Sequence, residues 1–463
     1  MDKAIDYPSA TAGELAAALA ARQVSAVELF EAAVATIEAR DGPINAIVVR
    51  DFDRAHEAAK AADAALARGE RAPLLGVPMT VKEAFRMAGL PATWGIAEYK
   101  GWTPTADAVV VQRLKAAGAV ILGKSNIQPF LGDWQSNNPI YGRTCNPYDL
   151  TRVPGGSSGG SAAALAAGMV PLELGSDIGG SVRVPAHMCG VFGHKASFGL
   201  VPGRDFAAPP FDAEAQDVEF GVYGPLARTA ADLELGLRVV AGPSEDDWVG
   251  YRLALPPPRH KALKDFRVLV ITEHPLVDGA VRGPIETLAD ELAALGAKVA
   301  RQSPLAPDIL ADHRRYQAML GAINRRSVPG ATTTLTSFDW MNGLDDIVAA
   351  RAKWRALFAA FDVVLAPPFG VPAYPHQDET DWSKRTFEIN GAATPYGAQL
   401  SWPGIAGYPG LPSTCAPLGL TAGGLPTGVQ IIGPRFEDFT TIAFAALIER
   451  DLGKTAPTPP GLK

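Results

Sequence analysis

Cysteine is scarce in this chain of 463 residues: Cys145, Cys189 and Cys415 are the only three, and they lie far apart. Their spacing fits neither the paired ligands of a zinc site nor a disulfide framework. The seven histidines are also scattered, and none belongs to a His-Glu-x-x-His or similar metal-binding motif. The sequence therefore predicts no metal site, and it indicates a reducing compartment, the cytoplasm.

Long runs of like charge and long apolar runs are missing as well. Charged residues make up 20% of the chain and the formal net charge is −7, without the basic stripe of a nucleic-acid surface. The longest apolar stretch, residues 161–174, is interrupted by Gly168, Pro171 and Glu173, so it is too short and too broken to span a bilayer. The N-terminal segment lacks the basic start and apolar core of a signal peptide. We expect no nucleic-acid partner and no membrane partner.

What the chain does have is an alternation of helical and strand-like segments. Apolar residues at three-to-four spacing predict two helices within residues 9–40 and a third helix over residues 54–69. A strand at 74–82, a helix that ends at Gly118 and a further strand follow, and the same order recurs across residues 266–300. This alternation favours an α/β fold with helices on both faces of a sheet.

Two short motifs match well-known nucleotide and hydrolase patterns. Residues 118–125, GAVILGKS, fit the phosphate-loop pattern, but their Ala-Val-Ile-Leu interior is typical of a strand and not of a flexible turn. We therefore expect Gly118 to end a helix and Lys124 to lie at a strand end. The stretch GSSGG, centred on Ser158, fits the nucleophile elbow G-x-S-x-G, but the residues before it form a poor strand. Both functional interpretations are disfavoured on these grounds.

Two glycine-rich clusters carry the strongest chemical signal. The first, VPGGSSGGSAAALAAG at 153–168, places a serine pair among four glycines. In the second, LGSDIGGSVRVPAHMCG at 174–190, Ser181 follows two glycines, so consecutive N–H groups could form a nest for an oxyanion. No histidine is obviously placed to act as a base. Lys82 could do so if it is buried, because desolvation lowers the pKa of a lysine, whereas an exposed strand end is the alternative.

The stretch from residue 154 to residue 197, PGGSSGGSAAALAAGMVPLELGSDIGGSVRVPAHMCGVFGHKAS, resembles the signature of the amidase signature family. Other segments match that family in the same order along the chain, among them LLGVPMTVKEAF, GAVILGKSNIQPFL, YGRTCNPYDL, GPLARTAADL and GLPTGVQIIGP. The resemblance therefore covers nearly the whole chain. It also implies that the GKS of residues 123–125 is the end of a strand and not part of a phosphate loop.

The resemblance implies a Ser-cisSer-Lys triad and assigns a role to each position that matches the motif. Lys82 would be the base, Ser157 the bridging serine that follows a cis peptide bond, and Ser181 the nucleophile. The oxyanion hole would consist of the N–H groups of Ile178, Gly179, Gly180 and Ser181. The supporting residues would be Ser158, which bonds to backbone, and Asp177 and Arg183, which brace the loop as an ion pair.

The resemblance also implies the fold and the reaction. We expect one α/β/α domain over residues 1–463 around a large mixed, mostly parallel sheet, with a helical N-terminal part over residues 1–70. The expected reaction is hydrolysis of an amide-type C–N bond through an acyl-enzyme, with esters as a side activity and carbamates within the family's range. No metal or cofactor is implied. We expect a small-molecule substrate and a monomer or homodimer in the cytoplasm.

Two alternatives from other functional classes remain. One is the amidase-type (GatA) component of glutamyl-tRNA amidotransferase, which works in a complex, although the longer insertion expected of that component is missing between residues 326 and 361. The other is a non-catalytic binding protein on the same fold, which the presence of all three triad residues disfavours.

The few departures from the family pattern leave the triad positions unchanged. They are Glu83, Ala84, Ser176 and GHKAS in place of Gly-[FL]-Lys-Pro-Thr.

The substrate pocket is expected to be bordered by two variable segments, residues 202–222 and 368–404. Both segments are rich in proline, glycine and aromatic residues and are predicted to be long loops. The candidate pocket residues are Leu131, Asp133, Gln135, Phe206, Phe211, Tyr223, Trp382 and Trp402. Aromatic walls favour apolar or aryl substrates. The alternative is that these aromatic residues only pack the loops onto the core. Arg204, Lys384 and Arg385 lie in the same segments, so a basic clamp for a small acidic substrate is the alternative.

Overall fold

The computed structural model describes residues 5–210, 217–326 and 331–462. Helices and strands alternate along most of the chain, as the spacing of apolar residues predicts. The strands in these ranges are β1 (Ile47–Arg50), β2 (Pro78–Lys82), β3 (Val120–Ser125), β4 (Asn137–Asn138), β5 (Gly142–Arg143), β6 (Leu172–Asp177), β7 (Phe192–Lys195), β8 (Val222–Ala227), β9 (Arg267–Val270), β10 (Lys298–Ala300), β11 (Val363–Ala366), β12 (Thr386–Ile389), β13 (Ala392–Pro395), β14 (Ser413–Leu420) and β15 (Pro426–Ile432).

The first two helices begin at residues suited to helix N-termini. Thr11 and Ser25 each form a capping box with the glutamate three residues later, which satisfies N–H groups that a helix start leaves unpaired. None of the helices in the described ranges combines the length and apolar character needed to cross a bilayer. The α-helices are α1 (Ala12–Ala20), α2 (Ala26–Ile44), α3 (Phe52–Ala67), α4 (Val109–Ala116), α5 (Gly159–Ala166), α6 (Arg183–Cys189), α7 (Ala230–Val240), α8 (Gly279–Ala294), α9 (Ile309–Arg326), α10 (Ser337–Ala360), α11 (Ser401–Gly407) and α12 (Asp438–Leu452).

Eleven of the described strands form one twisted sheet in the order β1-β3-β2-β6-β8-β7-β14-β15-β11-β9-β10. The prediction of an α/β fold around a large mixed sheet is confirmed. The expectation that the sheet is mostly parallel is wrong, because six of its ten strand pairings are antiparallel. Apart from the antiparallel pair of β1 and β3 at one edge, parallel pairs occupy the two flanks, where helices connect the strands, whereas β14 and β15 form a hairpin in the antiparallel centre.

The glycines of the first cluster allow α5 to lie against its neighbours. A Cβ atom on Gly160 would stand 2.3 Å from the backbone nitrogen of Asn126, and one on Gly156 would stand 2.0 Å from the carbonyl oxygen of Gln135. Any other residue at these two positions would collide with backbone. The glycines therefore bring the chain before Ser157 close to the segment that contains Gln135.

The segment 368–404 contains regular secondary structure and is not one long loop. Strands β12 and β13 pair as a hairpin across Asn390 and Gly391, whose φ angles are 50° and 80°. An Asn-Gly pair with both φ angles positive is the preferred two-residue hairpin turn. The prediction of a loop is therefore wrong here, because the proline and aromatic content of the segment obscures this local turn signal.

Candidate active site

The candidate site lies where two parallel strands of the sheet end side by side. Lys82 is the last residue of β2 and Asp177 the last residue of β6, with Ser176 just before it. Because β2 and β6 are adjacent and parallel, their carboxyl ends meet at the same edge of the sheet. Ser157 precedes α5 and Ser181 precedes α6, so two helix-entry loops come to the same point.

Lys82 is fully buried and surrounded by hydroxyl groups. Its Nζ donates to Ser157 Oγ at 2.7 Å, to Ser176 Oγ at 2.9 Å and to the Ser176 carbonyl at 3.4 Å. Burial lowers the pKa of Lys82 to about 7, although the carboxylates of Asp177 and Glu173 act in the opposite direction. A lysine with this pKa is partly neutral near pH 7 and can accept a proton from the Ser157 hydroxyl.

The two serines that the resemblance singles out open into the same cavity. The peptide bond between Gly156 and Ser157 is cis, and both Ser157 and Ser181 line the cavity. Both serines belong to the described residues, and no hydrogen bond joins their hydroxyls. Catalytic hydrogen bonds are often long or poorly aligned before a substrate binds, so this geometry is compatible with a proton path between them.

Ser158 ties the two helix-entry loops together. Its N–H donates to the Ser181 carbonyl at 3.2 Å, and its hydroxyl donates to the Ser176 carbonyl at 3.4 Å. The residues before it do not form a strand, which is the element a nucleophile elbow requires. The phosphate-loop motif is likewise part of a strand: Lys124 lies within β3, is buried, and donates to the Pro91 carbonyl.

Asp177 organises the loop that carries Ser181. Its carboxylate accepts from Arg183 Nη2 at 2.9 Å and from Arg183 Nε at 3.0 Å, and both side chains are inaccessible to solvent. It also accepts from the N–H groups of Gly180 at 2.9 Å and Val182 at 3.1 Å. Burial by itself would raise the pKa of Asp177, but Arg183 and these hydrogen bonds outweigh it and hold the pKa at about 2.

The bond from Gly180 changes the set of N–H groups that can hold an oxyanion. Because the Gly180 N–H already donates to Asp177, it is not available to a ligand. Within the described part of the chain, the structure records no acceptor for the N–H groups of Ile178, Gly179 and Ser181. The expected four-donor nest is therefore reduced to three candidate donors.

The sequence prediction assigns no role in the site to two polar residues, Ser176 and Glu173. Ser176 is treated there only as a departure from the family pattern, whereas its hydroxyl contacts Lys82 directly. Glu173 is buried beside Lys82, accepts a hydrogen bond from Thr80, and has its pKa raised to about 7 by burial. Strand alternation places Thr80 and Lys82 on the same side of β2, but the pairing of Thr80 with Glu173 depends on the order of strands in the sheet, which the sequence does not reveal.

The cavity above these residues has a volume of about 990 Å³ and is lined mainly by aromatic and aliphatic side chains. Phe206 packs against Trp94 and Tyr223, with ring centroids 4.9 and 4.8 Å apart. Trp134 packs against Trp382, with ring centroids 4.6 Å apart. We call these five residues the aromatic wall. Of the predicted pocket residues, the cavity brings together Leu131, Asp133, Gln135, Phe206, Tyr223 and Trp382.

Two predicted pocket residues are not part of this cavity. Trp402 is fully buried, and its indole N–H donates to the Leu276 carbonyl at 2.9 Å, so it packs in the core and does not line the cavity. Phe211 lies outside the described residues. Among the residues that the structure does describe, no cluster of three or more His, Cys, Asp or Glu side chains could hold a metal ion.

The basic residues of the two variable segments are engaged by carboxylates. Arg385 is buried against Asp133, with a distance of 2.6 Å between Nη1 and Oδ2. Arg204 pairs with Asp246 at 2.6 Å, and Lys384 lies within 4 Å of Glu379 and Asp381. The structure therefore gives no support to a basic clamp formed by these three residues.

A mixed sheet flanked by helices, with a buried lysine–serine pair under a large cavity, defines an α/β protein with a candidate active site. The chain matches the Amidase family model over residues 28–344 and 317–442. It therefore belongs to the amidase family, whose members hydrolyse the C–N bond of amides.

Known relatives of this chain differ in what they act on. It is 34% identical to the GatA component of the glutamyl-tRNA(Gln) amidotransferase of Anaeromyxobacter dehalogenans, over 96% of this chain and 97% of the relative. It is 31% identical to fatty-acid amide hydrolase 2 of Homo sapiens, over 95% of this chain and 88% of the relative. A solved bacterial aryl acylamidase of the amidase signature family superimposes with a TM-score of 0.81 and 25% identity, covering 95% of this chain and 96% of that one.

Proposed function

We propose that this chain hydrolyses the C–N bond of apolar or aryl small-molecule amides, anilides or carbamates through an acyl-enzyme on Ser181. The observation that carries the proposal is the 2.7 Å hydrogen bond from a fully buried Lys82 to Ser157, at the floor of a cavity that also exposes Ser181. We propose that the enzyme acts in the cytoplasm, as a monomer or homodimer.

In the proposed reaction, protons move along the Lys82–Ser157–Ser181 line. Neutral Lys82 takes the proton of Ser157, which takes that of Ser181 as Ser181 Oγ attacks the carbonyl carbon. The N–H groups of Gly179 and Ser181, with that of Ile178, hold the oxyanion of the tetrahedral intermediate. The proton returns through Ser157 to the leaving nitrogen, the C–N bond breaks, and water repeats the steps on the acyl-enzyme. Because esters pass through the same intermediate, ester cleavage accompanies amide cleavage.

The lining of the cavity supports the substrate class. The aromatic wall offers flat apolar surfaces that suit an aryl or other apolar group. Among the described residues of the lining, Arg325 is the only cation, whereas Asp133, Asp177, Asp378 and Glu379 carry carboxylates. Each of these carboxylates has a basic partner, Arg385, Arg183, Arg143 and Lys384 respectively, so the support for the substrate class comes from the aromatic wall and not from charge. The resemblance to a bacterial aryl acylamidase points the same way.

The competing candidate is the GatA component of a glutamyl-tRNA amidotransferase. Near full-length identity of 34% to one such protein favours it. A glutamine side chain is small and polar, so it fits the aromatic wall less well than an aryl group does. Co-purification with partner proteins of such a complex and release of ammonia from glutamine would support this candidate over the first.

The proposal is tested by a hydrolysis screen over anilides, aryl carbamates, esters, malonamate and glutamine, together with labelling by a fluorophosphonate. We expect aryl amides and aryl carbamates to have the highest kcat/KM, and peptide mass mapping to place the label on Ser181. Label on Ser158 would instead support the nucleophile elbow. Absence of turnover on every compound, with no label, would favour the non-catalytic binding protein.

A further inference from the structure

Two buried aromatic side chains hold the carbonyl groups of the loop that precedes Ser181. The Tyr316 hydroxyl donates to the Ile178 carbonyl, and the Trp134 indole Nε1 donates to the Gly179 carbonyl at 2.8 Å. Tyr316 comes from α9, which is 138 residues away along the chain, and it is fully buried. Neither residue touches Lys82, Ser157 or Ser181 through a hydrogen bond that the structure records.

Because the peptide bond is planar, a hydrogen bond to a carbonyl in this loop also orients the N–H group that follows it. In a trans peptide unit the C=O and the following N–H are fixed in one plane and point in opposite directions, so a bond that holds one orients the other. The unit between Gly179 and Gly180 is held at both ends, by Trp134 at its carbonyl and by Asp177 at its N–H. The unit between Ile178 and Gly179 is held only at its carbonyl, by Tyr316, and its N–H remains available to a ligand.

We propose that Tyr316 is a positioning residue for the oxyanion hole: its hydroxyl fixes the peptide unit whose other end, the Gly179 N–H, receives the developing negative charge. The inference rests on the proposed function, because it needs Ser181 as nucleophile and Gly179 as oxyanion donor. A hydrogen bond to a peptide carbonyl also polarises the unit and strengthens its N–H as a donor. Preorganised donors of this kind contribute because they need no reorientation as the charge develops.

The surroundings of Tyr316 fix the position of its hydroxyl. Its ring meets Phe220 edge to face, with centroids 5.0 Å apart. Gly404 and Gly407 of α11 leave room for it: a Cβ atom on Gly407 would lie 3.1 Å from the Tyr316 hydroxyl. Burial raises the pKa of Tyr316, so the hydroxyl keeps its proton and remains a donor across the working pH range.

Tyr408 supplies a matched control in the same cluster. It is buried, its ring centroid lies 6.2 Å from that of Tyr316, and its hydroxyl has no hydrogen-bond partner among the described residues. Tyr316→Phe and Tyr408→Phe therefore remove the same atom from neighbouring rings. Only the first removes a bond to the oxyanion loop.

The test compares Tyr316→Phe, Tyr408→Phe and Ser181→Ala with 4-nitrophenyl acetate, whose ester needs no protonated leaving group. For Tyr316→Phe we expect kcat to fall by about tenfold with KM little changed, less than the hundredfold or more that removal of an oxyanion donor costs. Affinity for an aryl trifluoromethyl ketone, which forms a tetrahedral adduct on the nucleophile, should fall by the same factor. Tyr408→Phe should match the wild-type enzyme in both measurements.

The outcomes separate the two proposals. If Tyr316→Phe keeps wild-type kcat and ketone affinity while Ser181→Ala is inactive, the role of Tyr316 is wrong and the proposed function stands. If Ser181→Ala hydrolyses the ester like the wild type, the proposed function itself fails. Should Tyr316→Phe not fold, Gly407→Ala decides, because it keeps the hydroxyl and displaces it by a few tenths of an ångström. A folded Gly407→Ala enzyme with unchanged kcat would overturn the inference.

Discussion

The floor of the cavity and its aromatic wall are built on opposite principles. On the floor, polar side chains such as Lys82, Asp177 and Arg183 are fully buried, and each has hydrogen-bond partners. On the wall, Phe206, Trp382 and their neighbours contact one another mainly through ring faces and edges. A buried polar group without a hydrogen-bond partner costs more free energy than a small change in the shape of a packed ring. The floor should therefore fix the chemistry, and the wall should tune which substrate reaches it.

Replacing Ser181 tests the floor most severely. Ser181→Ala removes one hydroxyl and keeps the turn, so we expect kcat to fall on the order of thousands-fold or more, with the melting temperature nearly unchanged. Fluorophosphonate labelling should disappear, as measured by intact mass. Ser158→Ala is the control: its hydroxyl makes one long bond to the Ser176 carbonyl, and the label should remain. Substantial turnover by Ser181→Ala would show that Ser181 is not the nucleophile.

Breaking the buried Asp177–Arg183 ion pair tests how much the floor contributes to the stability of the fold. Asp177→Asn leaves the Arg183 charge buried and unpaired, which we expect to destabilise the fold by about 3–5 kcal/mol. Because the pKa of Asp177 in the folded protein, about 2, lies below its ordinary value of 3.8, the pair stabilises the fold above about pH 4 and is lost as the pH falls through 2. Urea unfolding at pH 7 measures the difference. Glu70→Gln, which breaks the exposed pair with Arg68, should cost less than about 1 kcal/mol.

The pH profile tests the lysine. With the pKa of Lys82 near 7, kcat/KM should rise with pH, level off in the mildly alkaline range, and fall roughly tenfold per unit well below pH 7. Ser176 accepts a hydrogen bond from Lys82 Nζ and so favours the charged lysine. In Ser176→Ala the acid limb should therefore move to lower pH. The assignment of the base is wrong if Lys82→Ala remains active with an unchanged acid limb.

A change in the wall should have the smallest effect and alter preference more than rate. Phe206→Leu keeps an apolar side chain but removes the ring contacts with Trp94 and Tyr223. We expect kcat/KM for an aryl amide to fall roughly fivefold relative to kcat/KM for an alkyl amide. This ratio corresponds to a loss of about 1 kcal/mol of transition-state stabilisation. Steady-state kinetics on one aryl and one alkyl substrate measures this ratio. An enzyme that prefers malonamate or glutamine to both would show that the wall does not set specificity.

The sequence predicts the floor better than the wall. The glycine clusters and the strand pattern place Lys82, Ser157 and Ser181 in specific segments, because turn and strand signals are local. The contact between Lys82 and Ser176 joins residues 94 positions apart, and that between Tyr316 and Ile178 joins residues 138 apart. Periodicity carries no information on such pairings, which depend on the order of strands in the sheet.

The same reasoning explains the errors in the fold. Parallel flanks follow from strand–helix–strand order, whereas the antiparallel centre pairs β8 with β6 and β7, which are connected to it by long or irregular segments. The position of Trp402 shows a related limit. An aromatic residue in a proline-rich segment gives the same pattern whether it lines a cavity or, as here, donates to Leu276 in the core.

Helix α9 contributes to both regions of the site. Tyr316 reaches the oxyanion loop, and Leu320 and Ile323, one and two turns further on, line the cavity. Residues at these intervals share one helix face and move together. Under selection for a new substrate, mutations at Leu320 or Ile323 would therefore also lower turnover. A shift of the helix that widens the cavity displaces Tyr316 as well. Adaptive substitutions should accumulate instead at Phe206, whose ring contacts with Trp94 and Tyr223 do not include Trp134 or Tyr316, so that substrate preference can change with little loss of rate.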